Sequence, residues 1–435
     1  MKTFIGDNTG SVDVSLQLAE FLTNGGGYVD KGLYLVSNVN VQFAQFRLLC
    51  HPQAMFVADG PTPAMFSITD CISYIDSIQI SGNGTATVGM YFNGGDARIG
   101  RAEVYGIGDP TNVATNLVAG IRFSNMDYVH VDNCTFKDIN AVGDETIGNG
   151  IGAARGLYFD NCKPYFVNNF YMEGGSAEEL DYFQVNLGCE GGVINNLVAR
   201  YNENVKRCVK VQSGHNVIKH ADIRPMSTFA SISVDTDVGE KNLNCIDYAA
   251  DTEGSLRIEG GYIDATGFQV AISNSASTKA TVHVSNTTLK GSNKNNQHNW
   301  YTTGFFLGAQ DSGSSMTNCV IKGFTRQFVS VGNTARIENN EFIDPPKIVG
   351  QFGDINPSYG HRFNGNRVIT KTDGWCNESY VVSVNNVNGI VVHDNHFIAD
   401  GNQKHTGKFL SVLHQDAVVR EKDNYVPQGM DDVAY

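Results

Sequence analysis

The segment GGSAEELDYF (174–183) holds the densest run of acids in the chain, Glu178, Glu179 and Asp181. Like charges crowded together raise the pKa of one member, which a general acid needs. Glu203 lies in RYNENVKR among basic residues, a setting that keeps a carboxylate ionised. Asp160 and Asp247 stand in short segments, RGLYFD and NCIDYA, where apolar and polar residues alternate. These five acids, Asp160, Glu179, Asp181, Glu203 and Asp247, are the candidates for acid/base chemistry, which two suitably placed carboxyls can perform.

The elements that position them read as strands, because the alternation has a period of two. Leu157 and Phe159 pointing inward leave Tyr158 and Asp160 outward. Phe183 and Val185 inward leave Tyr182, Gln184 and Asn186 outward. Val209 and Val211 inward leave Lys210 and Gln212 outward. Ile246 and Tyr248 inward leave Asp247 outward, and Arg122 faces out from an earlier strand. The expected outer face mixes acids, amides, bases and tyrosines. Sugar-binding grooves use that mixture, with rings for C–H faces and polar groups for hydroxyls. Arg122, Tyr158, Tyr182, Gln184 and Lys210 are the expected sugar contacts. Trp300, in the polar insertion NNQHNWYTTG, is a candidate sugar platform.

These strands belong to a repeat. The six-residue pattern of VDNCTF (131–136) is apolar, any, turn residue, any, any, apolar. It recurs in VNNFYM (167–172), INNLVA (194–199), VSNTTL (284–289), IENNEF (337–342) and seven other windows. The twelve turn positions run from Ser77 to Asp394 at a mean spacing of about 29 residues. A period of that size marks a stacked architecture. Short strands at this spacing predict an all-β, right-handed parallel β-helix of about twelve coils. Asn suits its corner, because it tolerates the left-handed conformation and its amide can bond the Asn one coil away. Longer insertions fall at 140–154, 173–180, 224–243 and 290–303. At the start, DVSLQLAEFLTN (13–24) has helical spacing of Val14, Leu16, Leu18, Phe21 and Leu22, ended by Asn24 and glycines. It is expected to cap the first coil. The predicted organisation is a cap over 1–40 and a β-helix over 41–435, one domain.

Composition agrees and excludes. Only 17% of the 435 residues are charged, with 47 Gly and 10 Pro, which favours many tight turns. The net charge of −14 argues against nucleic acid, which needs a basic footprint. Nine Cys without paired spacing read as buried thiols. No apolar stretch is long enough to span a membrane, and MKTFIGDNTG has no signal-peptide h-region. VDTDVGE (234–240) lacks the full spacing of a calcium loop, so neither metal nor cofactor is expected.

The N-terminal segment resembles the cap of the pectate-lyase-like superfamily, in which Gly-Asp precedes a short helix, then Gly-Gly and a V-x-x-G-x-Y-x-V strand. Gly6, Asp7, Gly26, Gly27, Val29, Gly32, Tyr34 and Val36 fit, whereas Lys31 stands where Pro is usual. With the repeats, the resemblance covers most of the chain, and it is nearest to bacteriophage tailspikes. It implies a homotrimeric capsule or O-antigen depolymerase on the virion tail, joined through an adaptor protein. Glycosidic hydrolysis would then use two of the five acids, about 5–5.5 Å apart for retention or about 6.5–9.5 Å for inversion. The Asn-Thr-Asp, Asp-Asp and Gly-His-Gly signatures of polygalacturonases are not reproduced, nor is the calcium-aspartate cluster of pectate lyases. Three rivals stay open: a lyase with Lys210, a Tyr or a His as base, a non-catalytic glycan adhesin, and a monomeric β-helix enzyme such as an epimerase.

Overall fold

The computed structural model describes residues 1–435 except 115, 144–151, 228–242, 278, 293–301, 310, 346–347, 354–357, 371–379, 400–407, 413–418, 427–430 and 435. The chain divides into two compact units, Met1–Asn216 and Val217–Tyr435. Within the first, the strand Val118–Ser124 pairs in parallel with Ala153–Asp160, which pairs with Glu179–Val185, which pairs with Val205–Val211. A second series runs alongside, from Val88–Tyr105 through Tyr128–Lys137 and Tyr165–Glu173 to Gly191–Tyr201. Each strand meets its equivalent one turn later and not its neighbour in sequence. That is the parallel β-helix the repeat predicts.

The second unit is built the same way. Val270–Asn274 pairs with Thr303–Leu307, then Arg326–Ser330, then Ile348–Phe352. Gly254–Asp264 pairs with Ala280–Lys290, and the series continues through Ser315–Thr317 and Arg336–Glu338 to Ser358–Asn364.

The expected helix forms over Ser15–Thr23. It buries Leu18 and Leu22 and packs on the strands Gly26–Val29, Val39–Gln42 and Gln45–Cys50. Leu16, counted with its apolar face, is 86% exposed instead. It lies two residues from Leu18, a spacing that places it on a different face of the helix. No helix among the described residues is long and apolar enough to cross a membrane.

Nine of the twelve expected corners have positive φ: Asn169, Asn196, His220, Gly260, Asn286, Asn318, Asn339, Gly365 and Asp394. Ser77, Arg101 and Asn133 do not. Asn133 still joins the amide ladder, accepting from Asn169 Nδ2 at 3.0 Å, while Asn169 accepts from Asn196 at 2.9 Å. In the second unit the ladder shifts by one residue and turns inward. Asn340 donates to Asn366 (3.1 Å), Asn366 to Asn395 (3.0 Å) and Asn395 to Asn424 (2.9 Å). Asn340, Asn366 and Asn395 are buried, and each also donates to a backbone carbonyl. Buried amides persist only when satisfied in this way.

The core stacks in register. Phe92, Phe123 and Phe159 occupy one position in three successive coils, with ring centres 5.0 and 5.2 Å apart. Such pairs add about 0.5–1.5 kcal/mol beyond area burial. Eight cysteines, all those among the described residues, are buried free thiols.

Candidate glycan-binding face

Strand register assigns residues of the first unit to columns. One column reads Tyr91, Arg122, Tyr158, Gln184 and Lys210 over five coils. A second reads Asn93, Ser124 and Asp160, with Asn186 next in line. A third, at the start of each strand, reads Ala119, Arg155, Asp181 and Arg207. Neighbours in a column are one coil apart, about 4.8 Å.

Tyr182 departs from the sequence expectation. It is fully buried, and its hydroxyl donates to the carbonyls of Gly174 and Arg200, both at 3.0 Å. The reason is its place in the stack. Gly89, Gly120 and Gly156 hold the equivalent place in the three preceding coils. A Cβ on Gly156 would meet Met172 Sδ at 2.3 Å and the Tyr182 carbonyl at 2.7 Å. Here side chains turn inward, so Tyr182 and Phe183 are consecutive core residues and the alternation breaks. Tyr182 therefore belongs to the core and not to the outer face.

The face begins with a stack. The Arg122 guanidinium lies 5.2 Å from the Tyr91 ring centre and 5.5 Å from that of Tyr158. Its Nη2 lies 3.6 Å from Asp160 Oδ2, and Asp160 Oδ1 accepts from Asn186 at 2.9 Å. Burial, with Asp160 beside it, pushes the Tyr158 phenol up to about 12. Gln184 then links the columns. It accepts from Arg155 Nε and donates to Gln212 at 2.8 Å.

The acids gather at the start of the strand that carries Gln184. Arg207 Nη1 lies 3.0 Å from Glu179 Oε1 and 3.3 Å from Asp181 Oδ1. Those two oxygens are thus separated by at most 6.3 Å, the sum of the two contacts. Lys210 Nζ (3.6 Å), Arg155 Nη2 (3.7 Å) and Lys206 Nζ (3.8 Å) also face Glu179 Oε1. Crowded acids were expected to raise one another, yet Glu179 is depressed. Burial by itself would push it up, but Arg155, Lys210, Lys206 and Arg207 outweigh burial and hold it at about 2. Asp181 is fully buried, and its Oδ2 accepts no hydrogen bond although Arg155 Nη2 is 3.4 Å away.

The remaining candidates are dispersed. Asp160 is five residues along its strand from Arg155, which pairs with Asp181, so up to about 16 Å separates them. Glu203 is exposed in the turn before Val205, which pairs with Leu180, and so lies one coil from Glu179. Asp247 belongs to the second unit, buried and accepting from Ser275 Oγ at 2.8 Å. Trp300 and the segment 234–240 lie outside the described residues. Among the described residues no group of His, Cys, Asp or Glu converges as a metal site.

Alternation did not single out Tyr91, Arg155 and Arg207. Arg155 and Arg207 precede the alternating part of their strands, and their partners are 24–28 residues away in sequence. Only the arginine preceding each apolar run, in ARGLYF and KRCVKV, could have pointed to them.

The arrangement can do two things. Its upper coils offer the half-buried Tyr91 ring and Arg122 guanidinium to sugar faces and hydroxyls, whereas Tyr158 and Gln184, expected to face outward, are buried beneath them, with both ends of the Gln184 amide already bonded. Its lower coils hold a carboxylate that is ionised at neutral pH, beside lysines and arginines.

No family model matches the chain, and no curated protein matches it. Solved structures do, at low identity. One is the catalytic unit of a thermostable GH87 alpha-1,3-glucanase from Streptomyces thermodiastaticus, with TM-score 0.44 and 11% identity, covering 98% of this chain and 68% of the other. A second is the Dettilon tailspike protein, with TM-score 0.43 and 11% identity, covering 98% of this chain and 65% of the tailspike, so that this chain spans less than two thirds of it. A third is PfbA, a surface adhesin of Streptococcus pneumoniae, with TM-score 0.41 and 12% identity, covering 99% of this chain and 92% of the adhesin.

Proposed function

We propose that the chain is a tailspike-type depolymerase that binds bacterial capsule or O-antigen along the outer face of its first unit and hydrolyses it. The observation that carries this reading is the five-coil column Tyr91–Arg122–Tyr158–Gln184–Lys210 ending on ionised Glu179. Sugar rings would lie over Tyr91, with Arg122 and Lys210 on their hydroxyls, while the buried Tyr158 and Gln184 would hold Arg122 and Arg155 in place from beneath. Glu179 carries negative charge throughout the physiological range and would oppose the positive charge of an oxocarbenium-like transition state, as nucleophile or base. Glu203, exposed one coil away, would protonate the leaving oxygen. Asp181, sealed between Arg155 and Arg207, would position those guanidinia without touching sugar. Tyr158 at about 12 is a poor base at neutral pH and Tyr182 is in the core, which favours hydrolysis over elimination. Homotrimer formation and an adaptor protein on the virion belong to the same reading.

The test is incubation with a panel of purified capsules and O-antigens, following chain length and ultraviolet absorbance together. Shortening without new absorbance is expected, with Glu179→Gln and Glu203→Gln each at least about 100-fold slower. Shortening with new absorbance would establish a lyase, and full activity in both variants would place the site elsewhere. A second reading, a glycan adhesin, is favoured by the four cations that neutralise Glu179 and by the sealing of Asp181. Binding without shortening would establish it.

A further inference from the structure

The second unit carries a strip of positive charge that the acids above do not involve. Register places Arg257, His283, Ser315, Arg336 and Arg362 in one column over five coils. Arg257 and Arg362 are thus about 19 Å apart along the stack. The first three line a depression of about 370 Å³, together with Ser255, Glu259, Val284, Ser285 and Thr317. Arg257 has Glu259 at 3.5 Å. Arg336 and Arg362 are exposed, adjacent in register, and have no ion-pair partner among the described residues. Two like charges directly opposite on neighbouring strands are destabilising. A chain with a net charge of −14 has ample carboxylates to neutralise them, and none among the described residues does so. His283 reports the local field: burial, then Arg257 and Arg336, lower its imidazole pKa.

We propose that this strip binds a linear polyanionic glycan, with acidic groups of adjacent sugars on Arg336 and Arg362, an acidic group about three coils further along on Arg257, and sugar hydroxyls in the depression between them. A single straight column fits a polymer whose charge repeats along its length. Arg offers two parallel donors to each carboxylate. The hydroxyl lining suits a sugar better than the acidic surface of another protein. The strip requires nothing of Glu179 or Glu203, so it stands or falls apart from the hydrolytic reading.

The experiment measures binding of an oligogalacturonate and a heparin oligosaccharide to the full chain, with a neutral malto-oligosaccharide and inorganic sulfate alongside, at low and high salt. We expect at least one polyanion to bind, the neutral sugar not to, and salt to weaken binding. The double variant Arg336→Ala/Arg362→Ala should bind about tenfold more weakly or worse. Arg47→Ala, which removes an arginine paired with Asp76 in the first unit, should bind as the unaltered chain does. Circular dichroism checks that the exposed substitutions leave the fold intact. Failure of both polyanions to bind overturns the proposal, as does undiminished binding by the double variant. Sulfate binding as tight as the oligosaccharide would reduce the strip to a single-anion site. Self-association lost in the double variant would assign the strip to a second copy of the chain. Chain-length assays on the same samples report the hydrolytic reading separately.

Discussion

The Arg122 guanidinium sits 5.5 Å from the ring centre of Tyr158, one coil away. Their pairing ties a cation to a phenol that burial has raised to about 12. The buried Tyr158 ring backs the half-exposed guanidinium and fixes the face that Arg122 presents to a sugar. Arg122→Ala should therefore weaken polysaccharide binding about fivefold, since a cation–π contact of this exposure is worth about 1 kcal/mol. Tyr158→Phe keeps the ring and should bind nearly as well. Titration with a bound polysaccharide decides it; an equal loss in both variants would point to the hydroxyl and not to the stack.

Glu179 couples the outer face to stability. Its folded pKa of about 2 lies below the ordinary 4.5, so the folded state favours the ionised form. The stabilisation is complete above about 4.5 and is lost as pH falls toward 2. It amounts to no more than about 3 kcal/mol. The urea midpoint followed between pH 5 and 2 should fall less steeply in Glu179→Gln than in the unaltered chain.

Asp311 has the opposite sign. Burial pushes its carboxyl up to about 6, although Ser314 and Asn274 donate to it. Between about 3.8 and 6 the folded state binds more protons than the unfolded one, so stability falls as pH rises through that window. The loss is at most about 3 kcal/mol. Asp311→Asn should flatten the decline, measured as urea midpoint between pH 4 and 7.

Tyr182 separates a core role from a groove role. Tyr182→Phe removes the donor to two buried carbonyls and should cost about 1–2 kcal/mol of stability. Polysaccharide affinity should not change. An affinity loss at full stability would return this residue to the outer face.

The two amide ladders should differ in worth. Asn366→Ala strips the Ile337 carbonyl and the Asn340 amide of their partners inside the core, at a cost of about 2–4 kcal/mol. Asn169→Ala removes an exposed rung and should cost under about 1 kcal/mol. Comparing the two midpoints in urea tests whether the ladder stabilises by being buried.

Much of this was legible in the chain itself. The alternation LYF, FQV and VKV placed Leu157, Phe159, Phe183, Val185, Val209 and Val211 in the core, where they are fully buried. A turn residue roughly every 29 residues called for a stack of coils, since Asn and Gly tolerate positive φ and the sheet must turn once per coil. Both signals are local, and local patterns survive in one dimension.

What the tertiary structure alone decided depends on register. Tyr182 alternates correctly with its neighbours in sequence, yet it lies in register with three glycines of the preceding coils, at a position where the stack is closed to solvent. The charge state of Glu179 follows from Arg155, Lys206, Arg207 and Lys210, brought within 4 Å by strand pairing across 24–31 residues. The acid run EELD by itself predicts mutual repulsion and a raised pKa. Electrostatic environment is set by distance in space, and in a solenoid that distance is fixed by which residues lie one coil apart, a quantity the spacing of turns along the chain leaves open by several residues.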